Sequence, residues 1–192
     1  MARFMIPDLP ERPRVVLDAC VLYPTVMREV LLAVARVGLF APLWSARLLE
    51  EWARAAARRG PLEEAQARGE IAATRAAFPQ AEAPPAQGTE GRLWLPDPGD
   101  IHVLATAVAV SADGIVTLNA RDFPRGTLAE EGLARWDPDA FVMALWLRAP
   151  DAVAQAVEAV RAEAERLDAA PAEVRALLKK ARLPRLARAL AG

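Results

Sequence analysis

The stretch DPGDIHVLATAVAVSADGIVTLNARDFP, residues 97–124, decides the fold class. It contains a turn-forming entry, an apolar run long enough for a helix, a second turn, the short strand DGIVTLN and a loop. A helix that leads directly into a short apolar strand is typical of chains in which helices connect parallel strands. This stretch therefore predicts an α/β protein.

The same alternation of strands and helices continues on both sides of this stretch. Apolar strands are predicted at RVVLDA (14–19), LFAPLW (39–44) and LARW (133–136), with a strand fragment within 79–91. Helices are predicted after Pro24, Ser45, Pro61 and Asp137, which are favoured residues at helix starts. We expect a three-layer α/β/α fold with a parallel sheet of four to five strands.

The chain divides into three segments by composition. Residues 1–13 contain three prolines and read as an irregular lead-in, and residues 14–149 hold every strand signal. Residues 150–192 contain no aromatic residue and form helix-favouring runs that break at Pro171 and Pro184. A chain of 192 residues can bury one substantial core, so we expect one α/β domain with a C-terminal helical extension.

Charge and composition exclude several classes of protein. The formal net charge of −1 gives no global basic field for tight, non-specific duplex binding. One cysteine and one histidine cannot make a disulfide framework or a Cys/His zinc site, so any metal must be held by oxygen, which favours Mg²⁺ or Mn²⁺. No apolar run is long enough to span a bilayer and the first residues lack a signal-peptide core, so we expect a cytoplasmic protein.

Acidic residues follow the strands at one predicted edge of the sheet. Asp18 ends the first strand, and Asp122 follows Asn119, which ends the strand DGIVTLN. Asp97 and Asp100 lie at the start of the helix predicted to begin near residue 99, where the helix dipole favours negative groups. Because function in an open parallel sheet gathers at the carboxyl ends of the strands, we expect these acids to meet there.

A fourth acid comes from the helix that follows Ser45. The apolar residues of that helix form one stripe at about 100° per residue, and Glu50 falls opposite this stripe while Glu51 falls on its flank. We therefore expect Glu51 to lean toward the sheet edge and Glu50 to be a solvated surface charge. Four carboxylates at one place would repel one another, and a divalent cation would make their proximity favourable.

These residues resemble the PIN-domain family, metal-dependent ribonucleases that include the toxins of VapBC-type toxin–antitoxin pairs. The resemblance rests on VVLDACVLYP, WSARLLEEW and LPDPGDIHVLATAVAVSADGIVTLNARDFP, and it covers residues 14–147. It implies that Asp18, Glu51, Asp100 and Asp122 surround one or two Mg²⁺ or Mn²⁺ ions that activate water against an RNA phosphodiester. Asn119 and Asp97 would stand just outside these four acids.

The chain departs from the family pattern at three positions. Cys20 stands where many members have Asn, Ser or Thr, and Gly99 and Arg47 stand where further acids are common. We expect Cys20 to pack as a small apolar residue and His102 to be a surface or hydrogen-bonded residue without a catalytic role. Trp94, in the loop before the acids, is the tryptophan that could stack on a nucleobase.

Each acid could also have a purely structural role. Asp18 and Asp100 could cap helices, Asp122 could close a turn, and Glu51 could be an ordinary helix surface charge. The alternative functions are a non-catalytic PIN-like binding module and a nuclease acting on single-stranded DNA. An RNA-cleaving toxin implies a small antitoxin partner and, by the resemblance, a homodimer, for which the apolar helix TVMREVLLAVARVG (25–38) is a candidate face.

Overall fold

The computed structural model describes residues 9–168 and 173–190. Most of the predicted lead-in and the predicted break at Pro171 therefore lie outside the described residues. No described helix is both long enough and apolar enough to cross a membrane.

The core of the fold is a parallel five-stranded sheet. Its strands are β1 (Arg14–Leu17), β2 (Ala41–Ser45), β3 (Glu82–Ala83), β4 (Gly114–Val116) and β5 (Ala134–Trp136), in the order β3-β2-β1-β4-β5. β1 lies at the centre, and Val15, Val16 and Leu17 are all buried, as expected for a strand covered on both faces. The predicted α/β class and the parallel sheet are confirmed.

Helices cover the sheet and continue beyond it. They are α1 (Ala19–Leu22), α2 (Thr25–Arg36), α3 (Ala46–Ala57), α4 (Pro61–Ala77), α5 (Gln87–Glu90), α6 (Ile101–Ala109), α7 (Arg125–Glu130), α8 (Pro138–Arg148), α9 (Pro150–Asp168), α10 (Val174–Lys180) and α11 (Pro184–Ala189). A short 3₁₀ turn, Pro98–Asp100, precedes α6. The Ser45 hydroxyl accepts from the Leu48 amide and caps α3, and the Asp137 carboxylate accepts from the Ala140 amide and caps α8.

β4 is shorter than the strand predicted from DGIVTLN. It ends at Val116, and the Thr117 side chain then accepts a hydrogen bond from the Asn119 amide at 2.9 Å. The Thr117 amide still donates to the Trp136 carbonyl of β5 at 3.1 Å, so the hydroxyl bond forms a local turn just after the last ladder bond, which sequence alternation alone does not reveal. At the start of the same strand, a Cβ on Gly114 would collide with the Ala134 carbonyl and the Trp136 ring, so glycine allows β5 to approach.

The C-terminal helices pack on the α/β core. α9 lies along α2 and α8, while α10 and α11 contact each other and also α2 and α8 respectively. Asp139 in α8 is buried, and its carboxylate accepts from the backbone amides of Arg185 and Leu186 in the first turn of α11. This bond satisfies amide groups that a helix start otherwise leaves without partners and places a negative charge at the positive end of the helix.

This packing corrects the prediction that residues 25–38 form a homodimer face. Met27, Val30, Leu31 and Val34 of α2 are fully buried within the chain itself. The apolar stripe of α2 is therefore used to hold the sheet and α9 together, and it is not available to a second copy.

Candidate active site

The central parallel pair β1–β4 brings two polar side chains together at its carboxyl end. Leu17 pairs with Val116, so Asp18 and Thr117 are the next residues along the two strands. The Asp18 amide continues the ladder by donating to the Val116 carbonyl at 3.1 Å. Strand register therefore fixes where the Asp18 carboxylate emerges from the sheet.

The Asp18 carboxylate is buried and held by two side-chain donors. Asp18 is 7% exposed, and its Oδ2 accepts from Thr117 Oγ1 at 2.6 Å and from Cys20 Sγ at 3.0 Å. Although Asp18 occupies the N-cap position of α1, its side chain makes no capping bond there among the described residues. The alternative reading of Asp18 as a helix cap is therefore not supported, and Oδ1 takes no part in the two side-chain bonds.

Cys20 does more than the small apolar residue that the sequence predicted. Its sulfur also accepts from the Leu118 amide at 3.2 Å and lies 3.4 Å from Thr117 Oγ1. Burial, and then the neighbouring charge of Asp18, raise the pKa of the Cys20 thiol to about 12. The thiol therefore stays protonated and serves as the donor that a family member with Ser or Asn would supply.

Three further aspartates converge near this edge. Each of Asp97, Asp100 and Asp122 places one carboxylate oxygen within 4.8 Å of the others. Asp97 accepts from the Gly99 amide at 2.8 Å and so caps the 3₁₀ turn, whereas Asp100 makes no capping bond at the start of α6 within the described chain. The turn chemistry of DPGD thus rests on Asp97, and the Asp100 carboxylate is directed to the cluster.

The electrostatics of Asp100 reflect this crowding. Burial, followed by the charges of Asp18, Asp97 and Asp122, raises the pKa of Asp100 from 3.8 to about 6, and His102 opposes this shift. Asp18 therefore lies near enough to the three clustered aspartates to be felt electrostatically. Asn119 Nδ2 donates to Asp100 Oδ2 at 3.0 Å and fixes the orientation of that carboxylate.

Glu51 lies to one side of the three aspartates. Its Oε1 is 2.8 Å from His102 Nε2 and 3.5 Å from Arg47 Nε, and its side chain is 33% exposed. His102 is buried at 3% exposure, and neither ring nitrogen has hydrogen-bonding geometry to a partner in the described part of the chain. His102 therefore lies at ion-pair distance from Glu51 without good hydrogen-bond angles. Of the two predicted alternatives for His102, the surface position is wrong, and the contact with a partner agrees with the structure.

Glu50 behaves as its position on the helix predicted. It pairs with Arg68 at 3.1 Å and Arg54 at 3.4 Å on the outer surface. The adjacent Glu51 faces inward toward His102, which is two residues after Asp100. The angular argument therefore separated these neighbouring glutamates correctly.

Two features of the site were not visible in the sequence. Asp97 joins Asp100 and Asp122 directly, although we expected it outside the acids, and Thr117 is the main donor to Asp18. A hydroxyl one residue beyond a central strand was the available signal for Thr117. Its importance depends on the β1–β4 register, which the sequence does not specify.

The donors at this edge fit a hard divalent cation. Asp97, Asp100 and Asp122 offer carboxylate oxygens within one small volume, and burial together with the neighbouring negative charges raises the pKa of Asp100. Mg²⁺ and Mn²⁺ prefer such oxygen ligands, while the neutral thiol of Cys20 is occupied with Asp18. The residues present therefore suit the metal that the fold suggests.

Comparisons with known proteins agree with this geometry. A PIN domain model matches residues 14–121, more than half of the 192 residues, and a model described as the VapC50 C-terminal domain matches residues 138–192. No curated protein and no solved structure matches the chain. The first match spans β1 to the loop after β4, and the second spans α8 and the helices that follow. On its sheet, its acidic edge and these two matches, the chain belongs to the PIN-domain family and has the arrangement of a VapC-type toxin.

Proposed function

We propose that this protein is a Mg²⁺- or Mn²⁺-dependent endoribonuclease that hydrolyses RNA phosphodiester bonds as the toxin of a toxin–antitoxin pair. The observation that supports it best is the convergence of Asp97, Asp100 and Asp122 within 4.8 Å beside Asp18. A cluster of ionised carboxylates at the end of a parallel sheet is costly unless a cation balances it.

The residues of the site have separate roles in this proposal. Asp18, Asp100 and Asp122 hold the cation together with Glu51, and Asp97 adds a carboxylate at the rim. Thr117 and Cys20 orient Asp18 through Oδ2, and Asn119 orients Asp100. A bound divalent cation would supply the Lewis acid that activates water and balances charge on the phosphate.

Glu51 lies outside the group of three clustered aspartates. Its pairing with His102 and Arg47 holds the carboxylate at the flank, where it can accept a proton or support a bound water. Glu51→Gln is expected to lower activity by at least about tenfold, as loss of a group that supports a metal site commonly does. Glu50→Gln, one residue away on the outer face, is the matched control and should retain activity.

The deciding experiment is cleavage of a pooled, structured RNA by the purified protein. We expect defined fragments with Mg²⁺ or Mn²⁺, none with EDTA, and none with Asp100→Asn. Asp151→Asn, the same chemical change at an exposed position of α9, should behave as the wild type. A folded wild type that binds metal but cleaves neither RNA nor single-stranded DNA would indicate a binding module, and cleavage of DNA alone would indicate the second alternative.

Partners follow from the same proposal. A VapC-type toxin implies a small VapB antitoxin, which we propose covers the acidic edge, and we propose that the pair acts in the cytoplasm. The homodimer also remains a proposal, with a contact face other than α2. Growth arrest on expression of the chain, relieved by Asp100→Asn and by the antitoxin, would support the toxin assignment.

A further inference from the structure

Trp94 is a large aromatic side chain that the fold leaves in solvent. Its side chain is 66% exposed, whereas Trp44, Trp52 and Trp136 are buried in the core. The described part of the chain exposes five large apolar side chains, and Trp94 is the aromatic one among them. Indole rings contribute much of the binding free energy at contact surfaces, so an exposed indole near the acidic cluster is a candidate contact for a ligand.

The backbone around Trp94 is anchored on both sides. Leu93 and Leu95 are buried, and Arg92 makes a two-pronged ion pair with Glu131 at 2.7 and 2.8 Å. The exposed ring therefore stands on a fixed segment between two buried leucines. A contact residue whose backbone is already ordered loses little conformational freedom when it binds.

The same anchors place Trp94 beside the acidic cluster. Arg92 is tied to Glu131 at the end of α7, and Asp97 reaches within 4.8 Å of Asp122, which precedes α7. Trp94 is three residues before Asp97, so their Cα atoms are at most about 11 Å apart. A polynucleotide whose phosphodiester lies at the aspartates would pass within reach of the ring.

Unpaired positive charge lies on the same side of the site. Arg121 is in the loop just before Asp122 and Arg125 begins α7, and both are exposed without a hydrogen bond or ion pair to any described residue. Arg135 donates through Nη1 to the carbonyls of Ala120 and Phe123 and so holds the loop that carries Arg121. Burial, and then repulsion from Arg125, lower the pKa of Arg135, so Arg125 lies close enough to Arg135 to add to the positive charge beside this loop.

We propose that Trp94 is a stacking platform for an unpaired nucleobase of the RNA, with Arg121 and Arg125 contacting the adjacent backbone phosphates. The inference rests on the proposed function, because it assumes that the strand crosses the aspartates. Bases in a duplex are already stacked on one another and cannot lie flat on an indole, whereas every unpaired base offers a free face. The platform therefore selects single-stranded segments next to the cleaved bond.

Binding is measured with the Asp100→Asn protein, which removes cleavage from the experiment. The probes are a short single-stranded RNA and the same sequence in a duplex, each labelled for fluorescence anisotropy. Trp94→Ala should weaken binding of the single strand about five-fold to about a hundred-fold, the range for loss of one stacked base, and leave duplex binding unchanged. Trp94→Phe should recover most of the affinity, and Leu62→Ala, an exposed apolar control on α4, should change nothing.

Two further readouts separate stacking from a structural role. The single strand should quench tryptophan emission, and Trp94→Phe should abolish that quenching while it retains binding. Arg121→Gln and Arg125→Gln should weaken single-stranded and duplex binding alike and each lower the salt dependence by about one phosphate contact. In the active chain, Trp94→Ala should raise KM and leave kcat unchanged.

The outcomes distinguish this inference from the proposed function. One outcome is that the wild type cleaves RNA with metal, while Trp94→Ala leaves the affinity for single-stranded RNA unchanged. This result would overturn the stacking role of Trp94 and would still support the proposed nuclease. Single-strand binding that depends on Trp94 without any cleavage would support the platform and contradict the nuclease. A shift in oligomeric mass with Trp94→Ala, and no change in RNA binding, would assign the ring to a protein contact and overturn the inference.

Discussion

The fold makes the ionised form of the Asp100 carboxyl group unfavourable. Its pKa in the folded chain, about 6, lies above its ordinary value of 3.8 because burial and three neighbouring aspartates disfavour the charge. The metal-free fold therefore carries no penalty from this group below pH 3.8, and the penalty grows as pH rises from 3.8 and is complete above about 6. If the proposed cation binds here, the charge that Asp100 needs to hold it is the charge that destabilises the metal-free fold.

We expect Asp100→Asn to raise the thermal midpoint of the metal-free protein by a few degrees at pH 8. At pH 4, close to the ordinary pKa of the carboxyl, the folded and unfolded states bind nearly the same number of protons, so the same substitution should give a much smaller change. Thermal unfolding in EDTA at the two pH values measures this difference, with Asp151→Asn as the exposed control. An equal effect at both pH values would show that the acids do not destabilise one another.

Excess Mg²⁺ should raise the thermal midpoint of the wild type above that of Asp100→Asn, because a ligand that binds only the folded state stabilises it. The wild type should gain thermal stability on titration with Mg²⁺ at pH 8, whereas Asp100→Asn should gain much less. Calorimetric titration of the same proteins gives the affinity directly. Equal stabilisation of both proteins would place the ion elsewhere.

Thr117 is the residue through which β4 holds the Asp18 carboxylate. Removing its hydroxyl leaves the buried Oδ2 with only the weak thiol donor of Cys20. Thr117→Val should therefore cost about 10- to 100-fold in activity or metal affinity, while Thr117→Ser should retain most of it. Thr74→Val removes a buried hydroxyl bound to the Glu70 carbonyl on α4 and should leave activity unchanged. Equal activity of Thr117→Val and wild type would exclude an orienting role.

At the scale of elements, the positions of three aspartates of the proposed site depend on where a strand or a 3₁₀ turn ends. Asp18 follows β1, Asp122 lies in the loop after β4, and Asp100 ends the 3₁₀ turn before α6. The sequence predicted these elements because strand composition, proline and capping residues act locally. The early end of β4 was not predicted, since it depends on a local bond from the Asn119 amide to the Thr117 hydroxyl just after the last ladder bond.

α11 depends on a cap supplied by another helix. Asp139→Ala should remove the acceptor for the Arg185 and Leu186 amides and cost about 2 to 3 kcal/mol of unfolding free energy. Hydrogen exchange should show faster exchange in α11 and unchanged exchange in β1. Asp151→Ala serves as the exposed control, and unchanged protection of α11 in Asp139→Ala would show that apolar packing alone holds this helix.

At the scale of the whole molecule, the C-terminal helices complete the core that the sheet begins. Val153, Ala156 and Val157 of α9 are buried, as are Leu178 of α10 and Leu186 of α11. The proposed boundary between residues 149 and 150 therefore marks a change in amino-acid composition, while buried residues on both sides of it pack in one hydrophobic core. The second family match begins earlier, at residue 138, and so includes α8.

Removal of residues 150–192 should expose the side of α2 that α9 covers. We expect the shortened chain to bind a hydrophobic dye and to self-associate, because exposed apolar area of this kind drives association. Addition of the separate 150–192 segment should reduce both effects. A shortened chain that stays monomeric with the midpoint of the full chain would make the extension an independent domain.

The sequence by itself determined the α/β class, the parallel sheet, most helix starts and the separation of Glu51 from Glu50. These features depend on interactions between residues a few positions apart, which periodicity and capping chemistry report. Only the tertiary structure decided which acids meet, that Thr117 and Cys20 hold Asp18, that His102 is buried against Glu51, and that α9 covers α2. Those contacts join residues far apart in the chain, and their geometry depends on strand register and helix packing, which no local pattern encodes.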